Sequence, residues 1–267
     1  MSEMIPIYRA HFKRSFALEL QYRASLVIWA LSALVEPVLY VAVWRTVAVA
    51  QGGQVGDYDV SDFAAYFLAV LLVSHLTFSW IMWEYEFRIR EGLLSQALLR
   101  PIHPIHSDIA DNLAYKLVAL VVLVPAMVAM TLLFRPVFHP QPWALVAFLP
   151  TLALAFVLRF LFEWSLALSA FWTTRIGAIN QVYFFVLMFM SGRISPLSLL
   201  PPPIATLASF LPFRWMLAFP VELVLGRLTP ADLWLGLAAQ LGWILVALAV
   251  LTLVWRVGVR QYTGVGS

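Results

Sequence analysis

Arg159 and Glu163 are two ionisable residues within a long apolar stretch, and they lie four positions apart. Side chains at this spacing share one face of a helix and can form an ion pair. Charges inside a membrane helix mark candidate substrate pathways. A neutralised pair can also lock helix packing without contacting a substrate. The spacing therefore predicts an ion pair and favours the packing role, because a paired ion needs no substrate to explain it.

Further polar residues interrupt other apolar stretches. Glu36 precedes Pro37, which can kink a helix and place the carboxylate in an inner cavity; a hydrogen bond to a neighbouring helix is the alternative. The amides of Asn180 and Gln181 can line a pathway, although joining two helices is the favoured role. His75 is alone and is interpreted as a packing residue. The candidate pathway residues are Glu36, Arg159, Glu163, Asn180 and Gln181.

The sequence predicts neither a metal site nor a catalytic site. His103 and His106 provide two imidazoles without a nearby carboxylate or third histidine, which does not complete a four-ligand site. The chain has no cysteine, which excludes thiolate ligands, disulfides and a thiol nucleophile. A membrane-embedded enzyme would need His, Asp or Glu clustered at helix ends, and here these residues are scattered. We therefore expect no cofactor on this chain.

The elements that position these residues must be membrane helices. Of the 267 residues, 63% are hydrophobic and 12% are charged, against roughly 45–50% and about 25% in soluble domains. Several stretches exceed the roughly 20 apolar residues that cross a bilayer. The sequence lacks the short alternating segments of a barrel, and its N-terminus does not resemble a cleavable signal. The composition predicts an all-α polytopic membrane protein.

Six spans and one irregular region are predicted. The spans are about 24–49, 63–83, 113–134, 143–172, 177–192 and 232–255. Between residues 194 and 231, prolines leave unbroken pieces of roughly 8–10 residues. At 1.5 Å per residue each piece reaches only ~12–15 Å, about half of the hydrocarbon core. This stretch is therefore predicted to be re-entrant, made of two short helices, and not a seventh span.

Residues 1–23 are predicted to form an interfacial amphipathic helix before a single transmembrane domain, residues 24–267. One helical face repeats every four residues and comprises Tyr8, Phe12, Phe16 and Leu20. The basic residues off this face are Arg9, Lys13, Arg14 and Arg23. A basic amphipathic helix of this kind lies at a membrane surface.

The distribution of Lys and Arg orients these spans, because cytoplasmic loops are enriched in both. With the N-terminus inside, eleven basic residues lie inside: Arg9, Lys13, Arg14, Arg23, Arg88, Arg90, Arg100, Lys116, Arg175, Arg256 and Arg260. Five lie outside: Arg45, Arg135, Arg193, Arg214 and Arg227. A seventh span would change the ratio to nine against seven. We therefore predict six spans with both termini cytoplasmic.

The predicted cytoplasmic loop, residues 84–106, contains a second amphipathic helix over residues 86–99. Its apolar residues fill one half of a helical wheel. Pro101 ends this helix. Gly92 in its interior costs about 1 kcal/mol relative to alanine, which indicates close approach of another backbone. A surface helix that merely links two spans is the alternative.

The stretch EFRIREGLLSQALLRPIHPIHSDIADNLAYK resembles the cytoplasmic loop of ABC-2 type permeases, the membrane subunits of ATP-binding-cassette exporters. The shared pattern is charged residues, a glycine, leucines and a proline: Glu86, Arg88, Arg90, Glu91, Gly92, Leu98, Leu99 and Pro101. The usual Gly-Thr is Gly92-Leu93 here. The basic N-terminal helix and the stretch SGRISPLSLLPP are similar to the interfacial helix and outer re-entrant region of the family. The narrower similarity is to a subfamily in which two different permease chains pair with an ATPase.

The resemblance implies that residues 86–99 form a coupling helix in a groove of an ATPase subunit. Leu93, Leu94 and Leu98 would supply apolar contacts, and Arg88 and Glu91 polar ones. ATP and Mg would be bound by that separate subunit, since this chain has no GxxxxGK[ST] phosphate loop. The implied partners are ABC ATPase subunits, a second permease chain (identical or not) and membrane lipid, without nucleic acid. The implied location is a bacterial-type inner (cytoplasmic) membrane.

The function implied is ATP-driven export of a hydrophobic or amphipathic, drug-like substrate by alternating access. The low polarity of the spans disfavours a small ion or a sugar as cargo, because a hydrophilic cargo would need a wetter lining. Export or flipping of a lipid or polysaccharide by the same fold is one alternative. A non-transporting membrane scaffold or assembly protein is an alternative of another class.

Overall fold

The computed structural model describes residues 4–21, 23–173 and 175–262, and nearly all of them are helical. The N-terminal half contains α1 (Met4–Gln21), α2 (Arg23–Ala50), a hairpin of β1 (Gln54–Val55) and β2 (Tyr58–Asp59), α3 (Val60–Thr77), α4 (Ile81–Arg90), α5 (Leu94–Leu98) and α6 (Pro104–Phe134). The C-terminal half contains α7 (Pro142–Ala167), α8 (Gly177–Met190), α9 (Pro202–Phe210), α10 (Pro212–Met216), α11 (Ala218–Val224) and α12 (Pro230–Gln261). Short 3₁₀ turns occupy Leu168–Phe171 and Leu197–Leu199.

The chain is an all-α polytopic membrane protein. Five helical stretches of the described residues are long and apolar enough to cross a membrane: Val27–Ala50, Val60–Arg90, Pro104–Phe134, Pro142–Phe171 and Pro230–Gln261. The fifth predicted span corresponds to α8, which has 14 residues. Its length of ~21 Å is less than the ~30 Å hydrocarbon core. The count of six spans therefore stays a prediction.

Several helices extend beyond their predicted spans because their ends are capped. α6 begins at Pro104 and not near residue 113, since the His103 ring accepts the N–H of Ile105 at 3.3 Å. Lys116, which the charge count assigned to the inner side, lies more than two turns inside this helix and is buried. α12 begins at Pro230 behind a capping box between Thr229 and Asp232.

The second predicted span, residues 63–83, is not a continuous helix. α3 begins at Val60 behind an Asp59 cap and ends at Thr77, and α4 begins at Ile81. The backbone between them, at residues 78–80, is not helical. The apolar pattern of the sequence continues through this break, which is why periodicity did not predict it.

The single helix predicted over residues 86–99 is also wrong. α4 ends at Arg90, and a turn separates it from the five-residue α5. Gly92 lies in this turn with φ +69°, a left-handed conformation that favours glycine and ends helices. Gly92 therefore serves the turn itself, and the inference of a close backbone approach inside a helix does not hold.

The helices pack around α7, which contacts α3, α4, α11 and α12. Arg159 and Trp164, both on α7, are among the largest fully buried side chains. α12 also lies close to α11, because Gly236 faces the Phe219 ring of α11, which occupies the place of a side chain there. The charged residues of α7 are buried among these neighbours, whereas its N-terminal half keeps exposed side chains such as Val146.

The loops gather at two opposite ends of the bundle. At one, the loop end, Tyr8 OH and His106 Nδ1 are 2.7 Å apart, and the hydroxyls of Ser95 and Tyr262 are 3.0 Å apart. The N-terminal helix, the loop after α4 and the end of α12 therefore share this end, as the predicted topology requires.

At the other, the hairpin end, the β-hairpin meets the proline-rich region. Arg227 forms an ion pair with Asp62 at 3.0 Å, and Trp44 donates to the carbonyl of Ile194 at 2.8 Å. The region predicted to be re-entrant, residues 194–231, contains three short helices, α9 to α11, where two were predicted.

Candidate functional site

A cavity of about 790 Å³ runs between α2, α3, α4 and α6, and is called the cleft below. It reaches from Arg14 and Glu19 of α1, at the loop end, to Arg193, just after α8. Its aromatic lining includes Trp29, Tyr40, Phe67, Phe78, Trp80 and Tyr115. Charged side chains occur at both ends and in the middle, where Arg159 reaches it. The cleft thus combines aromatic and aliphatic walls with many polar and charged side chains, and most of these lie near the loop end.

Arg159 and Glu163 form the predicted ion pair on one face of α7. Arg159 Nε donates to Glu163 Oε1 at 2.8 Å, and both side chains are almost fully buried. Tyr183 OH of α8 also donates to Oε1, at 3.0 Å. Arg159 Nη1 donates to Thr77 Oγ1 of α3 at 3.2 Å. The pairing is confirmed, and it joins three helices.

The ion pair lies at the break between α3 and α4. Glu163 Oε2 accepts the Ser79 hydroxyl at 2.6 Å and the Ser79 N–H at 3.2 Å. Lys116 Nζ donates to the carbonyl of Phe78. Non-helical backbone at membrane depth is tolerated where protein or a cavity satisfies it. Glu163 and Lys116 therefore supply the hydrogen bonds that this break requires.

Arg159 also faces the cleft. Its Nη2 has no hydrogen-bond partner among the described residues, and the same holds for Ser74 Oγ. Both residues line the cleft. The two roles left open by the sequence are therefore compatible, because Glu163 holds the guanidinium in place while one buried N–H group has no partner among the described residues.

Glu36 pairs with a residue that sequence spacing could not identify. Arg193 donates Nε to Glu36 Oε1 at 2.8 Å and Nη2 to Oε2 at 2.6 Å. Both residues line the cleft, and both are partly exposed. This two-pronged geometry is the stronger form of an arginine–carboxylate contact. It ties α2 to the segment after α8, 157 residues away.

Asn180 and Gln181 do not line the cleft. The side chain of Asn180 is buried, and its amide atoms have no hydrogen-bond partner among the described residues. Gln181 faces outward. His75 does reach the cleft, and its Nε2 is 3.2 Å from the carbonyl of Lys116. The predicted pathway residues are therefore divided, with Glu36 and Arg159 lining the cleft and Glu163 behind Arg159.

Asp108 is a buried residue that sequence reasoning missed. It accepts hydrogen bonds from Arg88 Nη1 at 2.6 Å, Tyr85 OH at 3.0 Å and Trp164 Nε1 at 3.0 Å. Arg88 also contacts Glu84. These contacts join α4, α6 and α7 near the loop end. A buried role for Asp108 was not predicted because the segment around it was taken as part of a loop. In the structure Asp108 lies in the first turns of α6.

Three residues predicted to face an ATPase are turned inward instead. Arg88 is held by Asp108, so it is not available as a surface contact in this structure. Leu94 is fully buried in the main core cluster, and Leu98 packs against the same cluster. The wheel placed the two leucines on one face because it assumed a continuous helix through Gly92.

The exposed part of this loop is called the loop surface and consists of Phe87, Arg90, Glu91, Leu93, Gln96, Leu99, Arg100 and Pro101. Leu99 is 87% exposed, the highest value among the large hydrophobic side chains described. Arg90 and Glu91 form an ion pair at 3.2 Å beside it. Glu86 is partly buried at its edge. An exposed apolar group with a charged rim is typical of a protein-docking site.

α1 lies against α6 at the mouth of the cleft. Ser15 Oγ donates to Asp111, and Arg14 pairs with the same carboxylate at 3.4 Å. Burial and the nearby Asp111 charge raise the pKa of Glu19. The two histidines have structural partners: His103 caps α6, and His106 bonds to Tyr8. Burial and the neighbouring His106 lower the pKa of His103.

The fold and the cleft define the class as polytopic helical membrane proteins with a charged cavity between their helices. Residues 34–266 match the family described as ABC-2 family transporter protein. The chain belongs to this family, which confirms the resemblance at family level. A comparison with curated proteins finds no match. Members of the family are membrane components of ABC transporters, and ATP is hydrolysed by a separate ATPase with which they associate.

Proposed function

We propose that this chain is the permease subunit of an ATP-driven exporter that moves an amphipathic or hydrophobic, drug-like molecule outward by alternating access. A second permease chain, identical or not, completes the pathway. The loop end and both termini face the cytoplasm of a bacterial-type inner membrane. The observation that carries this proposal is the aromatic-lined cleft, with charged groups at its ends and centre, in a member of the ABC-2 family.

The lining of the cleft supports an amphipathic cargo. Trp29 and Trp80 stand 5.8 Å apart between their ring centroids, on α2 and at the span break. Such rings offer large apolar contact area. Arg159 provides a free N–H group for a polar part of the cargo. Pockets that combine apolar walls with a few polar groups bind molecules of this kind.

The distribution of Lys and Arg residues indicates which end of the bundle faces the cytoplasm. With Lys116 buried in α6, ten of the eleven basic residues assigned to the inside remain, against the five at the hairpin end. This excess still favours a cytoplasmic loop end. The loop surface then faces the compartment that holds ATP.

The loop surface is the proposed docking site for the ATPase. Leu93 and Leu99 provide apolar contact, and Arg90 and Glu91 provide the charged rim. Movement of this surface reaches the spans through α4, because Arg88 of α4 is bound to Asp108 of α6. Asp108 is in turn bound to Trp164 of α7. Coupling of ATP hydrolysis to transport requires that such contacts differ between the two states of the permease.

Replacing both Leu93 and Leu99 by Asp tests the docking site. Burying one leucine contributes about 1.5–3 kcal/mol, so we expect substrate-stimulated ATPase activity to fall roughly tenfold or more. Membrane insertion is expected to be unchanged, because both side chains are exposed. The measurement is ATPase activity of the complex co-purified in mild detergent, with immunoblotting for the partner subunits.

The matched control is Val137→Asp, an exposed apolar residue at the hairpin end. It should leave the stimulation unchanged. Wild-type stimulation in the Leu93/Leu99 variant would reject the docking site. Purification of a lone chain under conditions that preserve complexes would reject the transporter proposal and favour a scaffold.

Filling the cleft tests the transport pathway. Ser74→Phe places a ring beside Arg159, and we expect drug efflux to fall about tenfold or more while the protein remains inserted. The control is Thr252→Phe, an exposed position on α12, which should transport normally. Efflux is measured by survival of a deletion strain carrying each variant against a panel of toxic amphiphiles. Unimpaired efflux by Ser74→Phe would exclude the cleft; lipid flipping without drug efflux would favour the lipid alternative.

A further inference from the structure

A second cavity, of about 490 Å³, lies at the hairpin end between the ends of α2 and α6. We call it the arginine pocket; its lining includes Arg45, Asp59, Ser61, Leu133, Phe134 and Arg135. The guanidinium of Arg45 stands 5.7 Å from the ring centroid of Phe134. This contact brings a charge of α2 to the end of α6, next to Arg135.

The two arginines differ from the others at this end in having no acidic partner. Arg193, Arg214 and Arg227 form ion pairs with Glu36, Glu222 and Asp62. Arg45 and Arg135 form no ion pair with any described residue. The one carboxylate that lines the pocket, Asp59, accepts the N–H groups of Ser61 and Asp62 as a helix cap. Two positive charges thus converge on one cavity whose single lining carboxylate is engaged as a helix cap, which leaves a net positive charge there.

The backbone at Arg135 is unusual. Its φ of +48° is the single left-handed value among the described residues other than glycine. The Arg135 N–H is bonded to the carbonyl of Thr131 at 2.9 Å, which closes α6. An arginine in a conformation that suits glycine or asparagine is a reason to look for a function at that position.

The pocket lies at the level of the membrane where lipid headgroups are found. Arg135 directly follows Phe134, the last residue of a candidate span. Arg45 lies five residues before the end of α2, ~7.5 Å along the helix, a distance that a long arginine side chain covers. Leu133, on the rim, is 72% exposed to the surroundings of the bundle. A molecule with a phosphate beside a hydrocarbon chain matches both parts of this lining.

We propose that the arginine pocket binds the phosphate of an anionic glycerophospholipid, with an acyl chain along Leu133. The two guanidinium groups supply charge-assisted hydrogen bonds to phosphate oxygens. The bound lipid joins α2 to α6 at the hairpin end. This site is separate from the cleft and does not depend on the identity of the transported molecule.

The test uses the purified full chain in detergent, titrated with phosphatidylglycerol or phosphatidylcholine and followed by native mass spectrometry and thermal unfolding. We expect phosphatidylglycerol to bind the wild type and raise its Tm. The Arg45→Gln/Arg135→Gln variant should bind it about tenfold or more weakly. The control Arg100→Gln/Arg175→Gln, which removes two exposed arginines, should bind like the wild type.

Three outcomes would overturn the proposal. They are equal phosphatidylglycerol binding by the wild type and the Arg45/Arg135 variant, equal weakening in the control variant, and equal stabilisation by millimolar inorganic phosphate alone. The last outcome would assign the pocket to a free anion. An equal Tm of wild type and variant in phosphatidylcholine shows that the substitutions leave the fold intact.

Discussion

Replacing Glu163 by leucine is expected to lower the free energy of unfolding by about 3–5 kcal/mol. The substitution removes the acceptor for Arg159, Tyr183 and Ser79 at one point in the protein interior. Arg159 would remain buried without a counter-charge, and the Ser79 N–H at the span break would lose its acceptor. The measurement is reversible unfolding of the purified chain in mixed detergent micelles.

A double variant separates the stability cost of an unpaired buried charge from the cost of changed packing. Arg159→Met/Glu163→Leu removes both charges at similar volume, and such exchanges are often neutral. It should recover the part of the lost stability that comes from the unpaired Arg159 charge, but not the part that comes from the Ser79 and Tyr183 donors, and not drug efflux if Arg159 contacts the cargo. Glu91→Gln, in the exposed Arg90–Glu91 pair, should cost less than about 1 kcal/mol. Equal stability of Glu163→Leu and Glu91→Gln would contradict the role assigned to the buried pair.

Replacing Asp108 by leucine should have an effect of the same size, about 3–5 kcal/mol. Three donors, Arg88, Tyr85 and Trp164, lose a common acceptor that is fully buried. Because these donors belong to α4 and α7, the connection between the loop surface and the spans is lost with it. Substrate-stimulated ATPase activity should therefore fall together with stability in the same unfolding assay.

Two related variants test whether the loss of stability comes from the hydrogen bonds to Asp108. Asp108→Asn keeps one acceptor oxygen and should retain part of the stability. Asp111→Asn, one turn further along α6, removes a partly exposed carboxylate and should cost less than about 1 kcal/mol. If Asp108→Leu unfolds like Asp111→Asn, the three hydrogen bonds to Asp108 do not stabilise the fold.

The class and several local features could be predicted from the sequence because they depend on composition and short spacing. The Arg159–Glu163 pair is four residues apart, so helix geometry is enough to place it. The prolines between 194 and 231 exclude long helices, and short helices are what the structure contains. The short apolar helix α8 follows from the same kind of count, whereas its crossing of the membrane as a fifth span stays a prediction.

Other features depend on contacts between residues far apart in the sequence. Glu36 and Arg193 are 157 positions apart, and no periodicity links them. In the break after Thr77, the Ser79 N–H is bonded to Glu163, 84 residues later. The break itself, residues 78–80, contains neither glycine nor proline that would signal it. Leu94 was assigned to the surface because a helical wheel assumes an unbroken helix, and the turn at Gly92 reverses the direction of that side chain.

The docking of α1 against α6 has a consequence for biosynthesis. Tyr8 and Ser15 find their partners, His106 and Asp111, 98 and 96 residues later. At roughly 5–20 residues per second, a ribosome needs about 5–20 s to make the intervening chain. During this interval the nascent α1 waits at the membrane, where Lys13 and Arg14 are attracted to anionic lipid headgroups. The closing of α1 onto α6 can then begin once the first turns of α6 have been synthesised, because these turns contain both partners.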